Sequence, residues 1–414
     1  MSFERTSKPP VPRDFLPLVA TLMALLALAI DLPLPAFPYI REAYGLPHGS
    51  TLVGQSITYF FLGMSLPQVI YGPVSDRFGR RPVLFFGLAI YGLGSIGSAL
   101  APNLPSLLAS RFLWGVGSAA SRVVVIAMIR DCYTGDKMAR FMSLVFALFV
   151  LVPVVAPSLG SVLIALGPWR GVYWFSTVFV VLVAFWAYHR LPETLPSTQR
   201  LPLRLRPVGR AVAQVVTTRV TALNTLASTV LLTALTSYLA TSELIVSNVF
   251  ERPQQFPIIF GFVASAAGMG SLINGRLVMR IGIDTVVCRA LVCYMTFATL
   301  MVLSALLAGG RPNFWLWYPC LTVLVGCNML LFPNLNTVAL GPLGAIAGTA
   351  SAVTGALSTA ISAGLAALLD RAMDGTVLPL SCGFFVGSLL AASLFVLGRD
   401  VPPPLDEQRG VGAE

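Results

Sequence analysis

The chain has 414 residues, of which 56% are hydrophobic and only 11% charged, far below the roughly 25% charged residues of a soluble domain. Apolar runs of roughly 20 residues recur along its whole length, each able to cross about 30 Å of hydrocarbon. That composition excludes an ordinary soluble enzyme and predicts an all-α polytopic membrane protein.

Twelve membrane helices are predicted, at 15–38, 51–73, 83–102, 104–129, 140–166, 170–190, 218–243, 255–278, 286–308, 314–339, 343–369 and 376–398. The first apolar run, Phe15–Ile30, leads directly into further spans, so no separate signal peptide is expected. The net charge of +10 would suit a nucleic-acid partner, but its distribution argues otherwise. With the N-terminus inside, 20 of the 27 Lys and Arg residues fall on the cytoplasmic side, five in outer loops and two within a helix. This positive-inside bias places both termini in the cytoplasm and lets the loops face anionic lipid.

In chain order, the first helix carries Asp31 in Ala29-Ile-Asp-Leu-Pro-Leu-Pro-Ala-Phe-Pro38. Charges inside a membrane are costly and are examined first for function. Three following prolines leave backbone carbonyls free near the carboxylate. A carboxyl placed there can take up and release a proton, or it can simply satisfy the kinked helix end. On the second helix Gln55, Tyr59 and Gln68 offer polar contacts to a mostly apolar pocket, although such residues also serve as interhelical hydrogen bonds.

Between the second and third helices lies the charged turn Gly72-Pro-Val-Ser-Asp-Arg-Phe-Gly-Arg-Arg-Pro82. Gly72 and Gly79 permit close approach and tight turning, and Asp76 can meet a helix N-terminus or an arginine. Arg77, Arg80 and Arg81 hold the loop on the cytoplasmic face. The fourth helix contains Arg111-Phe-Leu-Trp-Gly-Val-Gly-Ser-Ala-Ala-Ser-Arg122. Eleven residues at about 100° each bring Arg122 to within about 20° of Arg111, with Gly115 and Ser118 on the same face. Arg111 needs a buried acidic or carbonyl partner, and Asp31 is the first candidate. Arg122 either binds an anionic or zwitterionic cargo group or snorkels toward the helix end near Arg130.

The fifth helix holds Val152-Pro-Val-Val-Ala-Pro-Ser-Leu-Gly160. Pro153 and Pro157 remove two helix hydrogen bonds and shape a bend, and Gly160 allows close packing. The composition then breaks once, between Arg190 and Arg219, in a stretch rich in proline and arginine. The chain accordingly divides into an N-terminal bundle (1–190), a cytoplasmic linker (191–217), a C-terminal bundle (218–398) and a cytoplasmic tail (399–414). Gly72, Arg77 and Gly79 recur 203 residues later as Gly275, Arg280 and Gly282, the mark of duplicated six-helix halves. In the second half, Glu243 near the outer end of its helix either binds a cation or reaches outer water, and Asn328, Asn334 and Asn336 add amide groups.

The six cysteines lack metal-ligand spacing and read as small buried hydrophobes. With His48 and His189 the only histidines, neither a metal site nor a cofactor is expected.

Taken together these segments resemble the Bcr/CflA drug:proton antiporters of the major facilitator superfamily. The matching stretches are Asp31–Pro38, Tyr71–Pro82, Arg111–Gly115, Arg130-Asp131, Ala156–Gly160, Trp169-Arg170, Asn274–Arg276, Phe332–Asn334 and Ala347–Ala352. The resemblance implies two pseudo-symmetric six-helix bundles around a central cavity, and export of small molecules driven by the proton gradient. It also implies gating by the Gly72–Arg81 turn, as a latch between half-domains, with Asp131, Pro153, Pro157 and Gly160 taking part. Asp31 and Arg111 would couple the proton. Arg122, Ser118, Gln55, Tyr59, Glu243, Asn328 and Asn334 are the candidate cargo contacts. A bacterial inner membrane, a monomer, and protons with a small-molecule substrate as partners are expected.

Three residues depart from the family pattern: Trp114 where glutamine is usual, Arg122 where a small or apolar residue is usual, and Glu243 where proline is usual. An added base and an added acid favour a neutral, zwitterionic or acidic cargo over a lipophilic cation. The competing readings are a proton-linked importer or facilitator of an organic acid or amino-acid-like nutrient, and a non-transporting receptor on a carrier fold.

Overall fold

A computed structural model describes residues 12, 14–200, 202 and 206–399. The N-terminal and C-terminal stretches of the sequence reading, including most of the expected tail, lie outside the described residues. Among those described, every regular element is helical.

Twelve long helices follow one another: α1 (Phe15–Asp31), α2 (Gln55–Phe78), α3 (Arg80–Leu100), α4 (Leu104–Cys132), α5 (Gly135–Leu166), α6 (Gly171–Arg190), α7 (Arg219–Leu244), α8 (Phe256–Ile281), α9 (Ile283–Leu307), α10 (Phe314–Leu340), α11 (Ala347–Arg371) and α12 (Leu378–Arg399). Eleven stretches are long and apolar enough to cross a membrane. The remaining helix, α2, is 24 residues long but carries Gln55, Ser56, Thr58, Gln68 and Ser75. Its polarity suits a helix that lines an aqueous space between the bundles.

Local sequence explains where the helices start and stop. Asn103 caps α4 by accepting from Ser106 N at 3.0 Å, and Asn313 caps α10 by accepting from Trp315 N at 2.8 Å, each satisfying an otherwise orphaned backbone donor. The expected first helix, 15–38, is broken: α1 ends at Asp31, and a 3₁₀ turn, Leu34–Ala36, joins it to the short helix Phe37–Ala43. Pro33 and Pro35 lack the N–H groups that would have continued α1.

The segment expected to be a turn is mostly helix. Only Gly79 interrupts the run from α2 to α3, at φ +100°, a conformation that side-chain-bearing residues avoid. Its repeat partner Gly282 has φ +77° and joins α8 to α9 in the same way. Gly72, expected to allow close approach, lies inside α2, where a Cβ would meet no other part of the chain within 4 Å, so it makes no tight contact. Pro153 and Pro157 sit within a single 32-residue helix, α5.

Helices gain no hydrophobic drive from lipid, so close backbone contact supplies much of their cohesion. At Gly115 a Cβ would lie only 2.0 Å from the Phe60 carbonyl, which fixes α4 tightly against α2. The two halves meet where α2 packs on α11 and α5 packs on α8. A further amphipathic helix, Arg206–Thr217, buries Ala211 and Val215 against Leu343, in the turn before α11, and against Ala350 and Val353 in its first two turns. The side carrying this linker helix is called the linker face, and the opposite side the far face.

Candidate functional site: an inter-bundle cavity

Between the halves lies a cavity of about 690 Å³ that reaches the linker face. Helices α2 and α4 line one side, through Phe61, Met64, Gln68, Arg122 and Ile126; helices α7, α10 and α11 line the other. Asp76, Arg80, Arg130 and Asp131 stand at its mouth. A space of this size, walled by apolar side chains with a few converging polar groups, is the usual form of a small-molecule site.

Arg122 faces this cavity and is exposed there, with no hydrogen bond or ion pair to any of the described residues. It is eight residues from Arg130, roughly 12 Å along the helix, so its side chain enters the cavity well inside the mouth. The snorkelling alternative does not describe this position.

Gln68 and Asn336, also expected to offer polar contacts, line the cavity too, whereas the other expected contacts lie elsewhere. Ser118 is fully buried and donates to Trp114 O at 2.9 Å. Asn328 is fully buried within the second half. Asn334 donates to Asn274 Oδ1 at 2.7 Å and so ties α10 to α8. Gln55 begins α2 at the far face, and Tyr59 is outward-facing and 38% exposed; neither lines the cavity. Rows of hydroxyls on α7 and α11 do line it, among them Thr225, Ser228, Thr354 and Ser358. Their spacing of three or four residues was the signal in the sequence that could have found them.

The expected Asp31–Arg111 ion pair is absent. Arg111 is fully buried and donates to Ala29 O at 2.7 Å and to Ser56 O at 3.3 Å. The Ala29 carbonyl is free because residue Pro33, four positions on, has no N–H to offer it. Arg111 therefore stitches the proline break of α1 to α2 and α4. Its guanidinium carbon lies 4.9 Å from the ring centroids of both Phe60 and Trp114, and the ring faces supply the partial negative charge that no carboxylate does. Trp114 thus supports the arginine directly. Asp31, 4% exposed, is buried, and none of the described cations lies within ion-pair distance of it.

At the mouth, Arg80 binds Asp76 at 2.5 Å and Asp131 at 2.9 Å, and Thr194 donates to Asp131 at 3.0 Å. Glu193 accepts from the backbone N–H groups of Arg80 and Arg81 at 3.0 and 3.1 Å, capping α3. Arg81 donates to Tyr188 O at 2.5 Å, while Arg77 is exposed. These contacts tie the first half to itself and to the linker residues Glu193 and Thr194, and among the described residues no ion pair joins the two halves on the linker face.

The far face is closed instead. Arg41, in the short helix after α1, forms a buried ion pair with Glu243 of α7, joining residues 202 positions apart. Beside it Asn248 donates to His48 O at 3.1 Å, and the backbones meet where a Cβ on Gly54 would be 2.4 Å from Ala240 O. The cation that Glu243 binds is thus Arg41 of the other half; it does not line the cavity and does not reach outer water, which corrects its placement as a cargo contact and the outer-water reading. Gly160 packs α5 on the broken segment, where a Cβ would lie 2.3 Å from Leu32 O.

One acidic residue escaped the sequence reading. Helix α11 was expected to end at 369, but it continues through Arg371 and buries Asp370 to 1% exposure. Ser237 donates to its Oδ1 at 2.5 Å, and its Oδ2 has no partner.

Two six-helix bundles around a cavity open at one face and closed at the other define a membrane carrier. The chain belongs to the Major Facilitator Superfamily, whose family model matches residues 19–367. It is 26% identical over 381 residues to the bicyclomycin resistance protein homolog of Haemophilus influenzae, covering 92% of this chain and 94% of that one. It is 25% identical over 336 residues to the multidrug resistance protein MdtL of Shigella dysenteriae, covering 81% and 82%. The fold is similar to a partially occluded inward-open conformation of the Escherichia coli xylose transporter XylE, with a TM-score of 0.71, 12% identity, and 94% and 97% coverage.

Proposed function

We propose that this chain is a proton-coupled exporter of small molecules of the Bcr/CflA type. It would work by alternating access in a bacterial inner membrane, as a monomer without a cofactor. The observation that carries the reading is the inter-bundle cavity, open at the linker face and shut at the far face by the Arg41–Glu243 pair. The excess of Lys and Arg on the linker side supports a cytoplasmic position for that face, and in this reading the conformation is the one that loads cargo from within. Relatives named for resistance to bicyclomycin and to multiple drugs favour the outward direction of transport.

Each residue has a physical task in this cycle. Cargo enters past Asp76, Arg80 and Asp131 and is held between α2, α4, α7 and α11. Asp31 carries the proton: it is a buried carboxyl without a cation, so it is stable there only when neutral or when a partner moves in. Arg111 positions Asp31 by holding the Ala29 carbonyl one half-turn earlier. In the opposite state the Arg41–Glu243 pair opens, and outer protons reach Asp31.

The direction of transport is tested in cells that lack their own efflux pumps. Expression should lower accumulation of at least one compound from a broad panel, and a protonophore should restore it. Asp31→Asn should behave like the empty vector. Accumulation raised by expression would instead establish an importer, and gradient-driven export retained by Asp31→Asn would remove the role given to that residue.

A further inference from the structure

We infer that the cargo of this cavity is an organic anion, an apolar body bearing one carboxylate or a chemically similar acidic group, and that Arg122 binds the acidic end. This rests on the reading of the cavity as the cargo site, and it goes beyond that reading by fixing the cargo's charge.

Five charged side chains line the cavity, and their partners decide its character. Asp76 and Asp131 are both engaged by Arg80 at the mouth, so the acids there are spoken for. Arg130 stands at the end of α4, exposed. Arg122 alone lies deep on the α4 wall, and no carboxylate of the described residues pairs with it. A permanent cation in a space walled by hydrocarbon is costly unless an anion or water satisfies it, and a guanidinium is shaped to hold a carboxylate by two parallel hydrogen bonds.

A second group points to the same ligand. Gln68, on the neighbouring α2, lines the cavity and is 5% exposed, and its Nε2 has no hydrogen-bond partner. It offers a neutral donor beside the charged one. The opposite wall adds hydroxyls at Ser228, Thr354 and Ser358, while Phe61, Met64 and Phe332 supply the apolar surface for the body of the ligand. Among the described residues no carboxylate lines the cavity deeper than the mouth to hold a cationic cargo, and Arg122 repels one.

The test is a binding measurement, made without a gradient so that it does not depend on transport. The full chain is placed in nanodiscs of phosphatidylcholine, so that no anionic lipid competes, and titrated calorimetrically with 2-naphthoate, 2-naphthamide and 2-naphthylmethylammonium. Naphthoate should bind at least tenfold more tightly than the amide, and the ammonium more weakly than either. Arg122→Gln should remove the preference, lowering naphthoate affinity by about tenfold to a hundredfold, the worth of a charged hydrogen bond, while leaving amide affinity within about threefold. Arg122→Lys, which keeps the charge but not the fork, should recover part of the loss.

Naphthoate that binds no tighter than the amide, whether both bind or neither does, overturns the inference. So does a preference that survives Arg122→Gln. A variant that fails to fold is recognised by a lost thermal transition, and Arg122→Lys then decides: unchanged naphthoate preference would refute the bidentate contact. If export proves not to be proton-coupled but Arg122-dependent binding stands, the exporter reading falls and the cargo's charge class remains.

Discussion

Replacing Glu243 by glutamine should shift the carrier toward the state open at the far face. The Arg41–Glu243 pair is buried, with the two residues 4% and 2% exposed, and it joins the halves in the observed conformation. Neutralising one member leaves Arg41 as a buried charge without its counter-ion, a change that costs about 3–5 kcal/mol in comparable sites. If both groups meet water in the opposite conformation, as alternating access requires, most of that cost falls on the observed state alone. The low end of the range corresponds to a shift of about a hundredfold in the equilibrium between states. The pair is also incompletely satisfied, since Arg41 Nε and Glu243 Oε1 lack partners; an ion pair so placed is easily given up, as a gate requires.

The assay is labelling of Ala240→Cys, a position 4% exposed behind the closed far face, by an impermeant maleimide applied from that side. Against the background of the six native cysteines, Glu243→Gln should raise the labelling rate by one to two orders of magnitude. The double variant Arg41→Gln/Glu243→Gln, which removes both charges, should return most of the way to the parent rate. Labelling within twofold of the parent in Glu243→Gln would refute the gate.

Other expectations follow from packing and from the α1 break. Gly115→Ala places a methyl group 2.0 Å from the Phe60 carbonyl and should destabilise the fold by about 1–3 kcal/mol, read as a lower thermal midpoint in detergent. An unchanged midpoint would show that α2 and α4 are not in fixed contact. Gly79→Ala forces a side chain into a positive φ and toward Glu193 Oε2 at 2.6 Å. It should cost about 1–2 kcal/mol and, by loosening the cap on α3, should speed proteolysis at the α2–α3 junction.

Much of the architecture was legible in sequence because a bilayer imposes a simple rule: long apolar runs become helices. The halves were visible through the polar break after Arg190 and the repeated Gly79 and Gly282. Boundaries were missed where polarity and helicity part company. Residues 72–78 are charged yet helical, α2 running on to Phe78, and residues 370–371 are charged yet still within α11. Asp31 stood out because an acid before three prolines is rare, but its relation to Arg111 did not follow. The choice between a carboxylate and a carbonyl partner depends on which backbone groups the prolines orphan and on how closely Gly115 lets α2 approach. Arg122 was recognisable as a departure, but helix periodicity relates it only to Arg111 and cannot say whether their shared face meets a cavity or another helix. The role of Glu243 required Arg41, 202 residues away, a pairing that no local pattern announces.

The most direct test of the central claim is proton movement in inside-out membrane vesicles with an acidified lumen, after addition of a compound shown to be exported. Opposed exchange of cargo and protons requires the luminal pH to rise on addition, and this response should vanish in Asp31→Asn with the folded protein still present. Cargo accumulation in the lumen without any change in luminal pH, or with further acidification, would contradict proton-coupled export.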